Sequence, residues 1–453
     1  MKKRKFLKNS AMLMASPYFS PVMGFYYPNQ DEPMKNWAGN LTYNAKGIES
    51  PKNLDRLGAF VKNSDRIKPL GTRHSFNTIA DTNSKHLSLE EMEGRISISA
   101  KNQTVTLNGR VQYGVLAKRL QEAGFALHNL ASLPHISVAG ACATGTHGSG
   151  DQNGNLSSAV VGLEMITADG STVRLSKDQH VGRFNGTVVN LGALGVVTRM
   201  TLRVMPSFDV VQHVYEGLSL ASLEEHFEDV FSTAYSVSLF TDWQNESVNQ
   251  VWLKFKVEQG RIPRIHKDLY GASIAQNHLH PIKEISAENC TPQMGDLGPW
   301  HERLPHFKMD FTPSSGEELQ SEYFVPRKHA IDAIKAIYDL GDQIYPHLLI
   351  SEIRSIAADR LWLSPAYGRN SIAIHFTWKR DWENVSKLLP KIEEALTPFQ
   401  VRPHWGKLFT FNHQYLEQQY ERMDDFRDLM EEYDPKGKFL NTFLEQYILG
   451  KGA

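Results

Sequence analysis

Apolar and polar residues alternate in short runs through much of the first half of the chain. This two-residue period is typical of half-buried β-strands. Residues 95–107 and 160–175 each contain two alternating runs around a polar turn, which predicts two β-hairpins. Residues 196–204 alternate in the same way and predict a further strand just before Pro206.

A helical period appears over residues 112–123. Its buried face is expected to consist of Val115, Leu116, Leu120 and Ala123. Beyond Pro206, strand-like runs are interspersed with longer helical segments, of which the clearest are residues 326–340, 382–396 and 417–432. This mixture predicts an α+β protein whose second half contains longer helices than its first.

Composition excludes some classes of protein. The 453 residues carry 49 lysines and arginines against 50 aspartates and glutamates, a formal net charge of −1. Nucleic-acid binding needs a concentrated basic surface, so this balance argues against it. The two cysteines, Cys142 and Cys290, are too few for a disulfide framework or a four-thiolate zinc site, and no metal site is expected.

The first 34 residues differ from the rest. A basic start, a mildly apolar stretch over residues 10–24 and a polar end outline an export signal. Residues 3–8 resemble the bacterial twin-arginine motif, with Lys3 in place of its first arginine. We therefore expect a periplasmic or secreted protein; the alternative is a basic tail on a cytoplasmic one. No apolar run reaches the ~18 residues that span a bilayer, so membrane insertion is not expected.

Three glycine-containing segments stand out: residues 70–77, 132–150 and 190–198. Small residues in a turn after a strand leave backbone N–H groups free to face an anion such as a pyrophosphate. The density of small residues over 132–150 suits a backbone pressed against a flat ligand. None of the three is the G-x-G-x-x-G dinucleotide fingerprint, and spacing alone leaves structural glycine turns equally open.

Charged residues with strand spacing occur late in the chain. Glu352 and Arg354 are two residues apart in one strand-like run, and so are His375 and Thr377 in another; Lys407 ends a third. Charges that face one side of three strands are costly in a core unless they line a polar pocket. From spacing alone, exposed ion pairs on a sheet surface are the better interpretation.

The motifs G-x-x-H-S at residues 71–75, A-G-x-x-A-T-G-T-H-G at 139–148 and L-G-x-L-G-V-V-T at 191–198 resemble those of the vanillyl-alcohol oxidase superfamily, which has the PCMH-type FAD-binding fold. Longer stretches at 131–137, 235–243 and 298–306 are similar to its aldonolactone and alditol oxidase branch. The resemblance covers residues 36–443. It implies an export segment at 1–34, an FAD domain at 35–205, an α/β cap domain for substrate at 206–420 and a C-terminal segment, 421–453, that returns to the FAD domain.

In this family the histidine of G-x-x-H-S is bonded covalently to the flavin, which points to His74. A second, cysteinyl bond is not expected, because family members that have one carry a cysteine near the position of Ser132 and this chain has none there. Cys142 lies within the glycine-rich loop and suits a small buried hydrophobe. The motifs imply these FAD-binding residues: Gly71, Thr72, Arg73, His74, Ser75, Ser132, Ser137, Gly140, Thr144, Gly145, Thr146, His147, Gly195 and Val197.

The same resemblance reverses the interpretation of the charged strands, because the family's substrate pocket is lined by Glu-x-Arg, His-x-Thr and the lysine after His-Trp-Gly. Lys407 and Arg354 would contact the reacting hydroxyl, since positive charge stabilises a developing alkoxide. The expected catalytic residues are Lys407, Arg354, Glu352 and His375. Substrate hydroxyls would be bound by these four together with Ser132 and Thr377.

The implied activity is oxidation of the terminal CH–OH group of a polyol such as xylitol or sorbitol, with O2 reduced to H2O2 by a monomeric FAD enzyme. Two alternatives stay open. One keeps the fold and oxidises an aldono-1,4-lactone, because both branches share the same pocket motifs. The other is a non-catalytic sugar-binding flavoprotein, which would be expected to have lost His74, Arg354 or Lys407.

Overall fold

Three sheets occupy the described first half of the chain: a parallel one with the strand order β1-β3-β2, an antiparallel one with the order β4-β5-β9-β7-β8, and an antiparallel pair of β6 with β10. The computed structural model describes residues 33–258, 260–308 and 318–451, so the predicted export segment lies almost wholly outside it. Both predicted hairpins are confirmed, as β4 with β5 and β7 with β8. The strands are β1 Ile48–Glu49, β2 Ile67–Pro69, β3 Lys85–Leu87, β4 Ile96–Ser99, β5 Thr104–Asn108, β6 Phe125–Ala126, β7 Val160–Ile166, β8 Thr172–Ser176, β9 Val196–Arg203 and β10 Met205–Pro206.

Four helices accompany these strands: α1 Leu54–Asn63, α2 Tyr113–Glu122, α3 Val138–Ala143 and α4 Val181–Thr187. Helix α2 was predicted, but its buried face was assigned wrongly. Val115 is 52% exposed and Ala123 is exposed as well, whereas Tyr113 and Ala117 are buried beside Leu116 and Leu120. The true face follows the i, i+3, i+4, i+7 spacing that begins at Tyr113, a residue whose hydroxyl also has a polar neighbour in Cys142 Sγ.

A ten-stranded sheet forms the second half, with the order β14-β15-β11-β13-β12-β18-β19-β17-β20 and with β16 paired to β11. Strands β12 and β17 are buried along their whole lengths, because both faces of the sheet are covered. The strands are β11 Asp209–Ser219, β12 Ser236–Thr241, β13 Ser247–Val257, β14 Asp268–Leu269, β15 Ala272–Ile274, β16 Gly298–Pro299, β17 Glu318–Pro326, β18 Leu348–Ile356, β19 Ser371–Lys379 and β20 Arg402–Pro403.

Helices α7 and α9 pack on each other and on β17. Glu393 of α9, for example, accepts a hydrogen bond from Tyr323 of β17. Helix α9 coincides with the predicted segment 382–396, whereas residues 326–329 end β17 and form a 3-10 turn before α7. The helices are α5 Leu220–Glu225, α6 Phe227–Ser232, α7 Ala330–Tyr338, α8 Gly341–Ile344, α9 Trp382–Leu396, α10 His413–Gln419, α11 Met423–Tyr433 and α12 Thr442–Tyr447. None of the described helices is long and apolar enough to cross a membrane.

The single helix predicted over residues 417–432 is two helices, α10 and α11, separated at Tyr420. Arg402 explains the break: its Nε donates to the carbonyl of Gln419 at 2.8 Å, and its guanidinium lies 5.1 Å from the centre of the buried Tyr420 ring. A carbonyl taken by a side chain no longer holds the next helical turn, and Tyr420 adopts an extended conformation.

The last part of the chain packs against the first half. Lys438 Nζ donates to the carbonyls of Val61 and Ala168 at 2.5 and 2.8 Å. Asn441 Nδ2 donates to carbonyls of the 78–81 turn at 2.8 to 3.1 Å. Contacts with the first half are not confined to residues after the predicted limit at 421: the Gly406 carbonyl accepts from Phe76 N at 2.8 Å, and Trp362 N donates to the Asn185 carbonyl at 3.1 Å. The domain limits themselves stay a prediction.

Candidate active site

One face of the ten-stranded sheet is polar across three adjacent strands, and we call it the polar wall. The wall results from the register between the three strands as well as from the two-residue spacing along each strand. Glu322 of β17 lies opposite His375 of β19, which lies opposite Glu352 of β18. Residues two positions along a strand share a face, so Gln320, Thr377 and Arg354 belong to the wall as well. The structure thus brings together four of the predicted substrate residues, namely Glu352, Arg354, His375 and Thr377.

Glu322 is the centre of the polar wall, and sequence reasoning missed it. Its Oε1 accepts from Arg354 Nη2 at 2.8 Å and lies 3.0 Å from His147 Nε2 and 3.6 Å from His375 Nδ1. Burial raises the pKa of this carboxyl, but the neighbouring histidines and Arg354 outweigh burial and hold the pKa well below its usual range. The alternation Gln320–Glu322 was the available signal, because it has the same strand spacing as Glu352–Arg354.

Two side chains, His306 and Arg354, lie beside the same carboxylate oxygen of Glu352. Its Oε1 is 2.7 Å from His306 Nε2 and 3.5 Å from Arg354 Nε. Burial raises the pKa of Glu352, yet Arg354 first and His306 second reverse that effect and leave the pKa far below its usual value. Arg354 therefore lies between two ionised carboxylates, which raise the pKa of the guanidinium against the opposing effect of burial.

Lys407 reaches the polar wall from the turn after β20. Its Nζ donates to Gln320 Oε1 and lies 4.6 Å from the centre of the Phe76 ring. Burial lowers the pKa of Lys407 to about 8, although Glu322 and Glu318 raise it. The turn is held on the first half of the chain, because Asn77 Nδ2 donates to the Lys407 carbonyl at 2.6 Å.

Thr377 and Ser132, the two predicted substrate residues with a hydroxyl group, differ in their positions. Thr377 Oγ1 lies 3.2 Å from His375 Nε2, so these two polar atoms share one hydrogen bond on the wall. Ser132 lies half-buried in the loop before α3, and within the described ranges its side chain forms no hydrogen bond to the wall. Its role in substrate binding stays a prediction.

His74 lies at the end of a strained turn next to this site. Arg73 has a φ of 63°, a conformation that few non-glycine residues adopt. The His74 ring stacks on Trp37 with centroids 5.1 Å apart, and its buried Nδ1 has no hydrogen-bond partner. Burial, opposed by a backbone hydrogen bond and aided by His135 and Lys407, lowers the pKa of His74 to about 3. The imidazole is therefore neutral at physiological pH.

The glycine-rich segments surround Ser137. A Cβ added to Gly71 or Gly140 would lie 2.8 or 2.7 Å from Ser137 Oγ, so both positions are restricted to glycine unless the serine moves. Ser137 N donates to Thr72 Oγ1 at 3.1 Å, whereas Ser137 Oγ is buried without a partner. Unpartnered buried hydroxyls are rare, and this one indicates a group that the chain itself does not supply.

The remaining predicted FAD residues have contacts within the chain. Thr144 and Thr146 lie 3.3 Å apart through their hydroxyls at the end of α3, where Gly145 turns with a φ of 71°. His147 contacts Glu322, as described above. The Ser75 carbonyl accepts a hydrogen bond from Asn36. Gly195 has a φ of 148°, and a Cβ added there would lie 2.5 Å from the Ile166 carbonyl oxygen. The Val197 carbonyl occupies the place that a Cβ on Gly109 would need. Binding of FAD by these residues stays a prediction.

Cys142 is fully buried, and its Sγ lies 3.6 Å from the hydroxyl of Tyr113. Burial raises the pKa of this thiol to about 11, so it is uncharged at physiological pH. The structure therefore agrees with the sequence-based interpretation of Cys142 as a small buried residue. In the part of the chain that is described, no three His, Cys, Asp or Glu side chains are grouped so that they could hold a metal ion.

A flat dinucleotide fits these observations. Two unpartnered polar atoms, His74 Nδ1 and Ser137 Oγ, lie in segments 70–77 and 132–150, and the glycines keep the backbone bare beside them. Lys407 contacts Phe76, two residues from His74, so these segments adjoin the polar wall. A cofactor held by His74 and Ser137 would therefore lie beside the charged side chains that meet a substrate.

Comparison with known proteins identifies the family. A family model described as FAD binding domain matches residues 49–176, and one described as D-arabinono-1,4-lactone oxidase matches residues 312–447. The chain is 47% identical over 418 residues to an alditol oxidase from Streptomyces sp., covering 92% of this chain and 99% of that protein. It is 26% identical over 437 residues to an L-gulono-1,4-lactone dehydrogenase from Mycobacterium tuberculosis, covering 91% of this chain and 98% of that protein.

Solved structures support the same fold. Cholesterol oxidase from B. sterolicum superimposes with a TM-score of 0.73 at 14% identity, covering 95% of this chain and all of that one. A solvent-stable cholesterol oxidase gives a TM-score of 0.72 at 13% identity, covering 91% and 96%. The predicted PCMH-type fold with mixed α and β structure is thereby confirmed. The chain belongs to the alditol oxidase family of FAD-dependent flavoproteins, which are oxidoreductases acting on CH–OH groups.

Proposed function

We propose that the protein oxidises the terminal CH–OH group of alditols such as xylitol or sorbitol to the aldose and reduces O2 to H2O2. The observation that carries the proposal is the composition of the polar wall, which has two ionised carboxylates, Glu322 and Glu352, and a guanidinium, Arg354, beside the Lys407 ammonium. An open-chain polyol presents a hydroxyl on every carbon, and each hydroxyl both donates and accepts. Such a ligand matches a wall that alternates acceptors and donors.

Oxidation of an alcohol removes a hydride from carbon and a proton from oxygen. When bound, FAD accepts the hydride and passes the two electrons to O2, which yields H2O2. Lys407 and Arg354 would lie next to the reacting hydroxyl, where their positive charge favours the developing alkoxide. Glu352, His375 and Thr377 would bind the neighbouring hydroxyls and hold the reacting carbon in place, and Ser132 would assist.

His74 is proposed to carry FAD covalently. A neutral imidazole with a free nitrogen is a competent nucleophile, and His74 Nδ1 is buried and unpartnered with a lowered pKa. Ser137 Oγ, Thr72 and the glycines Gly71 and Gly140 would contact the cofactor from the neighbouring loop. The other residues of the two glycine-rich segments would complete that surface.

The second candidate function is oxidation of an aldono-1,4-lactone, which the match of residues 312–447 to the lactone oxidase family favours. A purified sample separates the two. Peroxide release under air with xylitol or sorbitol, and none with L-gulono-1,4-lactone, supports the proposal; the reverse preference overturns it. Absence of flavin reduction by either class would indicate a sugar-binding flavoprotein. An artificial dye acceptor in place of O2 tests whether oxygen is the preferred oxidant.

We further propose export by the twin-arginine route. This route moves folded proteins, and a cofactor inserted in the cytoplasm requires such a route. The supporting observation is the basic, then apolar, then polar order of residues 1–34 with Arg4 in the twin-arginine-like motif. Fractionation and N-terminal sequencing should find a periplasmic or secreted protein that begins near residues 24–32. A chain that starts at Met1 and stays in the cytoplasm would contradict export.

A further inference from the structure

The polar wall continues beyond the predicted substrate residues to a buried lysine. Lys254 of β13 lies opposite Ser236 of β12. Two residues further along β12, Ser238 lies opposite Arg354 of β18. Lys254 is therefore on the same face of the sheet as Arg354, two strands away. It is 1% exposed and has no carboxylate within ion-pairing distance among the described residues. A lone buried ammonium is costly and calls for a function.

The three N–H groups of Lys254 match three acceptors. Lys254 Nζ lies 2.5 Å from the Leu304 carbonyl, 3.0 Å from the Pro305 carbonyl and 3.3 Å from His306 Nδ1. Burial lowers the pKa of Lys254 to about 7, so below that pH the side chain is an ammonium. An ammonium has three donors and no acceptor, so His306 Nδ1 accepts from it. The proton of a neutral His306 is then on Nε2, the atom 2.7 Å from Glu352 Oε1. Lys254 thereby sets the tautomer that donates to Glu352.

The surroundings of His306 keep it in this state. Its ring packs edge-to-face on Phe240 and Trp252, with centroids 5.4 and 5.3 Å away, which fixes the direction of Nε2. The charged groups that face the imidazole are Glu352, Lys254 and Arg354. Glu352 raises the pKa of Lys254 and Arg354 lowers it, and the nearby Cys290 thiol is uncharged because burial raises its pKa. Burial, together with the two cations, lowers the pKa of His306 despite the carboxylate beside it.

Charges balance within this buried group. The cations Lys254 and Arg354 offset the carboxylates Glu322 and Glu352 when His306 is neutral. Glu352 uses Oε1 for both His306 and Arg354, and its Oε2 has no hydrogen-bond partner in the described part of the chain. One oxygen is thus held by the protein while the other stays available for a ligand.

We propose that Lys254 and His306 are positioning residues for polyol binding: they hold Glu352 in a fixed orientation with one carboxylate oxygen available to a substrate hydroxyl. The inference rests on the proposed alditol oxidation and extends it to residues that do not themselves contact substrate. Without the ammonium, His306 Nδ1 loses its donor, and the imidazole gains the freedom to carry its proton on the wrong nitrogen or to take a second one.

Lys254→Met tests the proposal, because it removes the charge and keeps the length of the chain. Anaerobic stopped-flow reduction of the holoenzyme by xylitol should show a Kd raised at least about tenfold with unchanged FAD content. At pH 6.5, where Lys254 is protonated, the limiting rate of reduction should stay within about threefold of wild type, because neither Lys254 nor His306 is placed at the reacting hydroxyl. Lys256→Met, which removes a lysine of the same strand that lies over Phe208, is the control.

His306→Gln tests the imidazole separately, because a glutamine amide has an oxygen to accept from Lys254 and an N–H to donate to Glu352. Its Kd should stay within about threefold of wild type, whereas His306→Leu, which offers neither group, should raise the Kd as Lys254→Met does. Equal Kd values for His306→Gln and His306→Leu, or a Kd of Lys254→Met within twofold of wild type, would overturn the proposal.

A thermal measurement makes the test independent of the proposed substrate. At pH 6.5 the effects of Lys254→Met and His306→Leu on the Tm of the holoenzyme should be non-additive, because each substitution removes the same Lys254–His306–Glu352 contacts. Additive effects would show that the two residues do not act through each other and would contradict the proposal. Failure of every polyol to reduce the wild-type enzyme would refute alditol oxidation and leave this result intact.

Discussion

Arg354 Nη2 donates to Glu322 Oε1 at 2.8 Å across β19, the strand that separates their own two strands. Both side chains are almost completely buried, Glu322 at 2% and Arg354 at 7% exposure. At such burial the desolvation of two charges is offset only by close geometry and further hydrogen bonds. His147 at 3.0 Å supplies one of them, which connects the glycine-rich loop to the polar wall.

Glu322→Ala is expected to lower the free energy of unfolding by about 3–5 kcal/mol, because it leaves Arg354 buried without its closest partner. The effect should be measured by denaturant unfolding of the holoenzyme at pH 7. Glu383→Gln is the matched control: Glu383 pairs with Lys387 at the surface, with 82% of its side chain exposed, and its loss should cost less than about 1 kcal/mol.

The sign of the pH dependence follows from the lowered pKa of Glu322. Because the folded-state pKa lies below the unfolded value of about 4.3, the stabilisation is present at higher pH and is lost as the pH falls towards the folded pKa. The difference in stability between wild type and Glu322→Ala should therefore shrink below pH 4. A difference that grows on acidification would mean that Glu322 is protonated in the folded protein.

Lys407→Ala and Arg354→Ala are each expected to slow flavin reduction by at least about 10²-fold, the scale of one lost electrostatic stabiliser. FAD content should stay unchanged, because neither residue lies in segment 70–77 or 132–150. Anaerobic stopped-flow at saturating polyol measures the rate, and the flavin-to-protein absorbance ratio checks the content. Reduction within a few-fold of wild type would remove both residues from catalysis.

His74→Ala should release FAD on acid precipitation, whereas wild-type protein should keep its yellow colour. The reason is that His74 Nδ1 is the buried, unpartnered nucleophile of the cofactor segments. Cys142→Ser is the control and should stay covalently flavinylated, since the Cys142 thiol is buried beside Tyr113 with a raised pKa. Flavin bound to a tryptic peptide of His74→Ala would place the bond elsewhere.

Local spacing was sufficient for the parts of the site that lie on one strand. Glu352 and Arg354 contact each other because they are two residues apart, as the sequence predicted. The partners that give them their charge states were not predictable in this way. In the sequence, Glu322 is 32 residues from Arg354 and 175 residues from His147, and only the tertiary fold brings the three together.

The errors in predicted structure have a similar cause. The period over residues 112–123 was correct, but a polar-tipped Tyr113 was not counted among the core residues, and the exposed Val115 took its place. The break at Tyr420 depends on Arg402, 17 residues from the carbonyl to which it donates. A periodic pattern reports which residues are apolar, whereas a tertiary hydrogen bond decides where a helix ends.

The last prediction concerns the protonation state in which Lys407 acts. Burial lowers its pKa to about 8, so the ammonium loses its proton within a convenient range of pH. If the cation stabilises a developing alkoxide, the rate constant of reduction divided by Kd should fall about tenfold per pH unit above 8. Lys407→Arg keeps its charge at all these values, so its residual activity should show no such fall up to pH 10. The measurement is anaerobic stopped-flow from pH 6 to 10 for both proteins. A wild-type rate that instead rises through pH 8, with the rise absent in Lys407→Arg, would mean that the neutral amine removes the hydroxyl proton and that electrostatic stabilisation falls to Arg354 alone.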